Sequence, residues 1–306
     1  MAPDTPPDRR TAVIVVVYRP QVSLQPMLEA LCRNVVPVVV VDNSEAPDAA
    51  LQTAASGAGA HVLANGNRGA LAGAYNAALK FLQGPAGQDV ERVVFVDDDS
   101  DPSVLKSFLA DPEVARRLAD PGTAAVAPAY RDRATGLRGR YIELGRLRLH
   151  YLPRQFSGLR EVAFVINSMS VWRRSALDRL GPFNEGLAID HVDTEYCLRA
   201  RRAGLALCVH GDHEFAHSIG QRRRYRFLGR ELQAGGHGPQ RRYLIGRNTA
   251  WLARGWLLRE PAFAFLCLTR LAYEGVGIVM AEDDKGAKLA ALLRGTLRGL
   301  LAARLV

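Results

Sequence analysis

Residues 93–100 read Val-Val-Phe-Val-Asp-Asp-Asp-Ser, an apolar, β-branched run that ends in three successive carboxylates. Such a run fits a strand buried on both faces of a parallel sheet, with the acids arriving where the strand stops. Side chains alternate along a strand, so Asp97 and Asp99 project together while Asp98 turns away. Two carboxylates on one side repel unless a proton or cation relieves them. Oxygen ligands at a sheet's carboxyl edge suit Mg²⁺ or Mn²⁺ bound with a substrate's phosphates. The plainer reading is a polar strand end followed by a helix cap, because Ser100-Asp101-Pro102 has the residue types of a helix start.

A second acidic group follows at residues 190–199, Asp-His-Val-Asp-Thr-Glu-Tyr-Cys-Leu-Arg. The spacing of Val192, Tyr196 and residues 199–203 predicts a helix whose first turn carries Asp193 and Glu195. Acids at a helix start are favoured by the dipole whatever their function. A strand is expected over 205–210, followed by Asp212, His213 and His217. His217 precedes Ser218-Ile219-Gly220 in an expected loop beyond that strand, where a third metal ligand could approach.

The elements that must carry these groups alternate in type. Strands are expected over 12–18, 38–41, 61–64, 124–127 and 162–166, and helices over 22–34, 48–56, 69–82, 104–118 and 174–180. The second strand ends in Asp42-Asn43-Ser44, again polar groups at a carboxyl edge, and 162–166 is followed by Asn167-Ser168-Met169-Ser170. Repeated β-α-β order implies an α/β domain with a mostly parallel sheet, helices on both faces and ligands beyond the strands' carboxyl ends. Residues 131–158, rich in Gly and Arg, read either as a lid or acceptor loop or as a surface insertion. No strand is followed by Gly-x-Gly-x-x-Gly, and Gly-x-x-x-x-Gly-Lys-Ser/Thr is absent, which removes nicotinamide enzymes and P-loop NTPases.

The net charge of +9 resides between Arg199 and Glu260, where thirteen arginines face four acids. Such a cluster suggests a polyanionic partner, nucleic acid or an anionic membrane surface, unless it is a solvated helical face. From 222 onward helices are expected around 243–258, 261–280 and 285–305. Arg270 and Glu274 interrupt the longest apolar stretch, 262–280, so it does not read as a transmembrane span. Residues 1–10, polar and proline-containing without an apolar h-region, read as a disordered tail. Cys32, Cys197, Cys208 and Cys267 form no CxxC pair and fit reduced core thiols of a cytoplasmic protein; no zinc site is expected. The expected division is therefore a tail over 1–10, a catalytic domain over 11–221 and a basic helical region over 222–306.

In this order the pieces resemble a family 2 glycosyltransferase of the GT-A fold and, more narrowly, the bacterial rhamnosyltransferases that build O-antigen and related polysaccharides. The resemblance covers about residues 11–254. It rests on Val-Tyr-Arg-Pro after the first strand, Val-Asp-Asn-Ser after the second, Asn65-x-Asn67-x-Gly69 opening a helix with Asn76, Phe-Val-Asp-Asp-Asp-Ser, the 190–199 stretch, His-Ser-Ile-Gly and residues 243–248. An Asp-x-Asp after an apolar strand also resembles the motif of haloacid dehalogenase-like phosphatases. That motif usually opens its domain and carries Thr or Val where Asp101 stands here. A nucleic-acid-binding protein is the alternative of another class, but Tyr225, Phe227 and Tyr243 form no RNA-binding motif, and no nucleic-acid partner is expected.

The resemblance implies a GT-A Rossmann-like sheet with a C-terminal helical segment and an inverting transferase dependent on Mn²⁺ or Mg²⁺. Its implied donor is a nucleotide sugar, dTDP-L-rhamnose above all, with another donor on the same fold as the alternative. Its implied acceptor is a saccharide or lipid-linked saccharide at the inner face of the plasma membrane. Tyr18 and Asp42 would hold the nucleobase, Asn67, Asp97 and Asp98 would belong to the donor site, and Asp97 would contact the nucleoside. Asp99 and His217 would bind the metal and Asp193 would be the base, with Asp190, Glu195 and Ser168 in supporting or acceptor roles. Two positions depart from the family's habit: Asp98 stands where Gln is frequent, and Met169 where a small Gly is common, which bears on acceptor fit.

Overall fold

The computed structural model describes residues 8–145, 147–217, 223–227 and 229–305. The expected tail over 1–10 therefore lies largely outside the described residues, as do Ser218-Ile219-Gly220 and Arg222. The amino-terminal half alternates as expected: β1 (Thr11–Val17), α1 (Gln25–Asn34), β2 (Val38–Asp42), α2 (Ala49–Ala58), β3 (His61–Ala64), α3 (Ala70–Phe81) and β4 (Arg92–Asp97). Then come α4 (Leu105–Ala110), α5 (Pro112–Ala119), β5 (Thr123–Asp132), the short hairpin β6 (Ile142–Leu144) and β7 (Leu149–Tyr151), β8 (Leu159–Val162), β9 (Val171–Arg173), α6 (Arg174–Leu180), α7 (Val192–Arg202) and β10 (Ala206–His217).

Eight strands form one sheet in the order β3-β2-β1-β4-β9-β5-β10-β8. Its β1, β2, β3 and β4 pair in parallel, as do β5 and β10, while β9 and edge strand β8 run antiparallel to their neighbours. Every residue of β1 is buried, and alternation divides them between two cores. Ile14 and Val16 pack with α3, α6 and α7 on one face, and Val13, Val15 and Val17 with α1, α2, α4 and α5 on the other. Continuous Val/Ile runs form strands here because both faces are dry. Register sets Val16 opposite Asp97 and Val17 opposite Asp42, so the acidic ends of β2 and β4 flank the end of β1.

Two expectations need correction. The strand expected over 162–166 lies instead over Leu159–Val162, and 163–170 is an irregular crossing from β8 to β9, fixed by tertiary bonds such as Met169 N–H to the Phe95 carbonyl (2.7 Å). The strand expected over 205–210 runs on to His217 through a bulge, because β10 resumes pairing with β5 at Glu214. Within 131–158, where the sequence leaves a lid, an acceptor loop and a surface insertion open, Tyr141 is buried and its hydroxyl accepts the Tyr130 N–H at 2.9 Å.

The region beyond 222 begins with a hairpin, β11 (Arg223–Phe227) and β12 (Arg230–Ala234), not a helix; its turn passes through Gly229 at φ +73°. The helices α8 (Pro239–Trp256), α9 (Pro261–Ala281) and α10 (Lys285–Leu301) follow. A Cβ on Gly295 would lie 2.0 Å from the Tyr243 carbonyl oxygen and one on Gly299 2.1 Å from that of Arg247, so α8 and α10 touch backbone to backbone. Arg242, fully buried, pairs with Glu274 and Glu282, and Lys288 Nζ is 3.0 Å from Glu282. A buried cation needs such partners, and these tie the three helices together.

Candidate active site

The carboxyl ends of β1, β2 and β4 open into a cleft of about 880 Å³. Tyr18, Asn43, Asn67, Asp97, Asp98 and Asp99 line one side, and Asp190 and His217 also face it. Ligand atoms of Asp97, Asp99 and His217 all lie within 4.8 Å of one another. Asp98 is not of that group; its carboxylate takes the Tyr18 backbone N–H, which ties the end of β1 to that of β4. Burial, then the charges of Asp99 and Asp98, push the Asp97 carboxyl up to about 7. Ser168 hydrogen-bonds Asp97 from behind and meets the Ser100 hydroxyl at 2.7 Å; it is buried and orients the acid.

Asp42 does not line the cleft. It is buried at the β2 end, where its Oδ1 accepts Ser44 N–H (3.1 Å) and its Oδ2 accepts Asp48 N–H (2.7 Å). Its neighbour Asn43 faces the cleft instead, holding Asn67 Oδ1 at 3.3 Å and receiving Asn65 Nδ2 at 2.7 Å. Tyr18, nearly half exposed, donates its hydroxyl to Glu45 at 2.8 Å. Met169 carries φ +62° in the buried turn before β9. A left-handed backbone there accounts for a preference for Gly in physical terms, and the Met side chain points into the core rather than toward a ligand.

The opposite wall comes from residues the sequence reading did not place in the site: Gln233, His237, Arg241, Arg270, Tyr273 and Glu274. The visible signal was Arg270 and Glu274, two charges kept one turn apart in an otherwise apolar helix. The positive charge thus reaches the cleft itself, opposite the carboxylates.

Asp193 lines a separate pocket of about 210 Å³ with His191, Thr194, Tyr141, Phe263 and Arg270, and Arg270 borders both spaces. Thr194 N–H holds Asp193 Oδ1 at 2.7 Å; among the described residues no hydrogen bond occupies Oδ2. Burial raises the Asp193 carboxyl above the ordinary range, and its charge is felt at Asp97. Glu195 faces elsewhere, pairing with Arg199 at 3.0 Å. The segment before α7 is pinned by α8: Asn248 Nδ2 donates to the carbonyls of Leu187 (2.7 Å) and Asp190 (2.9 Å), and His191 Nε2 meets Thr249 Oγ1 at 2.8 Å.

A model of the family described as glycosyl transferase family 2 matches residues 12–181. The chain is 25% identical over 257 residues to the dTDP-rhamnosyl transferase RfbF of Shigella flexneri, covering 79% of each protein. Among solved structures it is similar to GalNAc-T7 with UDP, GalNAc and Mn²⁺ (TM-score 0.47, 12% identity, 78% of this chain and 47% of that one). It is also similar to a mycobacterial protein (TM-score 0.44, 16% identity, 74% of this chain and 83% of that one).

Proposed function

From the premise that the chain belongs to glycosyl transferase family 2, whose model spans more than half of it, we propose an inverting, metal-dependent transfer of L-rhamnose from dTDP-L-rhamnose. The acceptor in this reading is a saccharide or lipid-linked saccharide of cell-surface polysaccharide synthesis. The observation that carries it is the convergence of Asp97, Asp99 and His217 in a cleft of nucleotide-sugar size. The choice of rhamnose rests on the Shigella flexneri relative.

Asp97, Asp99 and His217 would hold a divalent cation, which neutralises charge on the departing nucleoside diphosphate. Carboxylates mixed with an imidazole suit Mn²⁺ better than Mg²⁺. The Asp97 carboxyl, raised by burial and then by the charges of Asp99 and Asp98, is consistent with this, because a cation relieves buried, crowded carboxylates. Arg241 and Arg270 supply forked donors for the phosphates. Asn43, Asn67 and Tyr18 frame the space for the nucleoside. The acceptor hydroxyl loses its proton to Asp193 as its oxygen bonds the anomeric carbon; the bond from that carbon to the diphosphate oxygen breaks on the opposite face, and configuration inverts.

Exposed Phe265, Leu268, Leu293 and Leu297 give α9 and α10 an apolar outer face beside an arginine-rich segment. By length and composition α9 is apolar enough to cross a membrane, but Arg270 and Glu274 face the cleft. In this reading the face lies on the anionic inner surface of the plasma membrane, within reach of a lipid-linked acceptor.

The test is a thermal-shift screen of nucleotide sugars with Mn²⁺, since a ligand raises the melting temperature only if the folded state binds it. dTDP-L-rhamnose is expected to give the largest shift. A larger shift with a different nucleotide sugar reassigns the donor, and no shift with any of them contradicts the reading.

A further inference from the structure

Away from the cleft, on the face of the sheet covered by α4 and α5, a second group of metal-ligating side chains meets. Pairing of β10 with β5 stops at His210 opposite Pro128 and resumes at Glu214 opposite Ala129, leaving residues 211–213 bulged. Residues three apart on a regular strand face opposite sides. Here the bulge turns both His210 and His213 the same way, with ring centres 4.8 Å apart and His213 packed 5.3 Å from Phe108 of α4.

Asp111 caps α5, its Oδ1 accepting the N–H groups of Glu113 and Val114. Its Oδ2 points at the histidines, 2.9 Å from His213 Nε2 and 3.7 Å from His210 Nε2. His210 is 3% exposed, and its Nε2, 3.2 Å from Glu113 Oε2, makes no hydrogen bond among the described residues. That unpartnered buried nitrogen aimed at two carboxylates is what sets the group apart from a surface acid cluster.

We propose that Asp111, His210 and His213, whose ligand atoms all lie within 4.8 Å of one another, form a site for a Zn²⁺-class divalent ion with Glu113 flanking His210, and that the ion fastens the β10 bulge to the start of α5. Bonds of about 2.0–2.1 Å in a tetrahedron place ligand atoms about 3.3 Å apart, and Asp111 Oδ2 stands 2.9 and 3.7 Å from the two imidazole nitrogens, either side of that value. Imidazole nitrogens with carboxylate oxygens are a zinc donor set, and no cysteine is required. His210 Nδ1 now receives the Asp212 N–H at 3.2 Å, so its proton resides on Nε2. Metal at Nε2 requires the proton on Nδ1, which then gives up the Asp212 N–H and turns to donate to the Asp212 carboxylate, 3.9 Å away in the present arrangement. The ion thereby locks the strand that ends four residues later in His217.

The experiment uses the full chain carrying Asp99→Asn, which disables the cleft cluster, stripped with chelator and titrated with Co²⁺ and then Zn²⁺. The site predicts one ion per chain, an intense four-coordinate Co²⁺ visible spectrum displaced by Zn²⁺, and a raised melting temperature. Adding His213→Ala should abolish it, and Glu113→Gln, at a half-buried carboxylate flanking His210, and Asp212→Asn, at an exposed one, should weaken Zn²⁺ about 10- to 100-fold. Because His213→Ala could unfold the strand, circular dichroism is read alongside, and the Glu113→Gln and Asp212→Asn variants decide if it does. No bound ion in the Asp99→Asn chain, or affinity unmoved by these folded variants, overturns the proposal.

Discussion

The guanidinium of Arg241 lies along the carboxylate of Asp190, with Nε 3.2 Å from Oδ2 and Nη2 3.4 Å from Oδ1. The pair joins the first turn of α8 to the segment before α7, across the cleft from the Asp97 cluster. Arg241 is therefore oriented before any ligand arrives. Arg241→Ala should weaken nucleoside diphosphate binding about tenfold or more, as expected for charge-assisted hydrogen bonds of about 1.5–3 kcal/mol. Arg241→Lys, which keeps charge but loses the fork, should recover only part of it. Calorimetric titration with dTDP and Mn²⁺ checks both. The melting temperature should fall only modestly, because Arg241 is 42% exposed and the nearly buried Asp190 carboxylate keeps Arg270 at 3.9 Å.

Asp193→Asn should lower turnover about 10²- to 10⁴-fold, the range for a lost general base, while donor affinity stays near that of the parent. Glu195→Gln should instead cost stability, since Glu195 is buried against Arg199. Transfer rates and melting curves for the two variants separate these roles. If Glu195→Gln loses transfer and Asp193→Asn keeps it, the base is misassigned.

Asp97 makes the metal-free fold pH-dependent. Its folded pKa of about 7 exceeds the ordinary carboxylate value of 3.8. The folded state thus holds the proton more tightly than the unfolded chain, and stability falls as pH rises from about 4 to 7 before levelling. Asp97→Asn carries no such penalty, so without metal it should melt above the parent at pH 8, with the gap closing toward pH 4. Scanning calorimetry in chelator across that range measures the gap. A pH-independent difference would remove the account of Asp97 as a buried acid crowded by Asp99 and Asp98.

The α8–α10 contact should be sensitive to a single methyl group. Gly295→Ala places a carbon 2.0 Å from the Tyr243 carbonyl oxygen, so the helices must separate. Because Asn248 on α8 holds the carbonyls before α7, the variant should lose donor affinity as well as several degrees of melting temperature. Thermal melts and dTDP titration are the readouts.

Association with membrane should need both charge and apolar face. Each arginine near an anionic surface contributes about 1 kcal/mol, so sedimentation with anionic vesicles should exceed that with neutral ones and fall with salt. Leu293→Glu with Leu297→Glu should reduce it on the same vesicles. Equal binding to neutral and anionic vesicles would remove the electrostatic part.

Strands β1, β2 and β4 were legible because a strand dry on both faces must be apolar throughout, and α7 because its apolar spacing is helical. The segment 163–170 was not, since the backbone of the distant Phe95, which accepts the Met169 N–H and donates to the Ser170 carbonyl, and not local preference, sets its course. The extension of β10 was hidden by a bulge that breaks period-two alternation. Asp97 and Asp99 come together as expected, but β4 ends at Asp97 and the turn closed by Ser100 N–H on the Asp97 carbonyl, not strand alternation, brings Asp99 round; nor does alternation speak of Asp42, whose carboxylate is consumed by its own turn. The cleft wall formed by Arg241 and Arg270 depends on how α8 and α9 return to the sheet, a long-range event without local signature.

The most direct test of the central claim is calorimetric titration of dTDP into the chain with and without Mn²⁺, for the parent, Asp99→Asn and Asp98→Asn. Asp99 belongs to the cluster with Asp97 and His217, whereas Asp98 is bound to the Tyr18 N–H. The account predicts that Mn²⁺ strengthens dTDP binding in the parent, that Asp99→Asn loses this dependence, and that Asp98→Asn largely keeps it. Metal-independent binding in the parent, or equal loss in both variants, would contradict it.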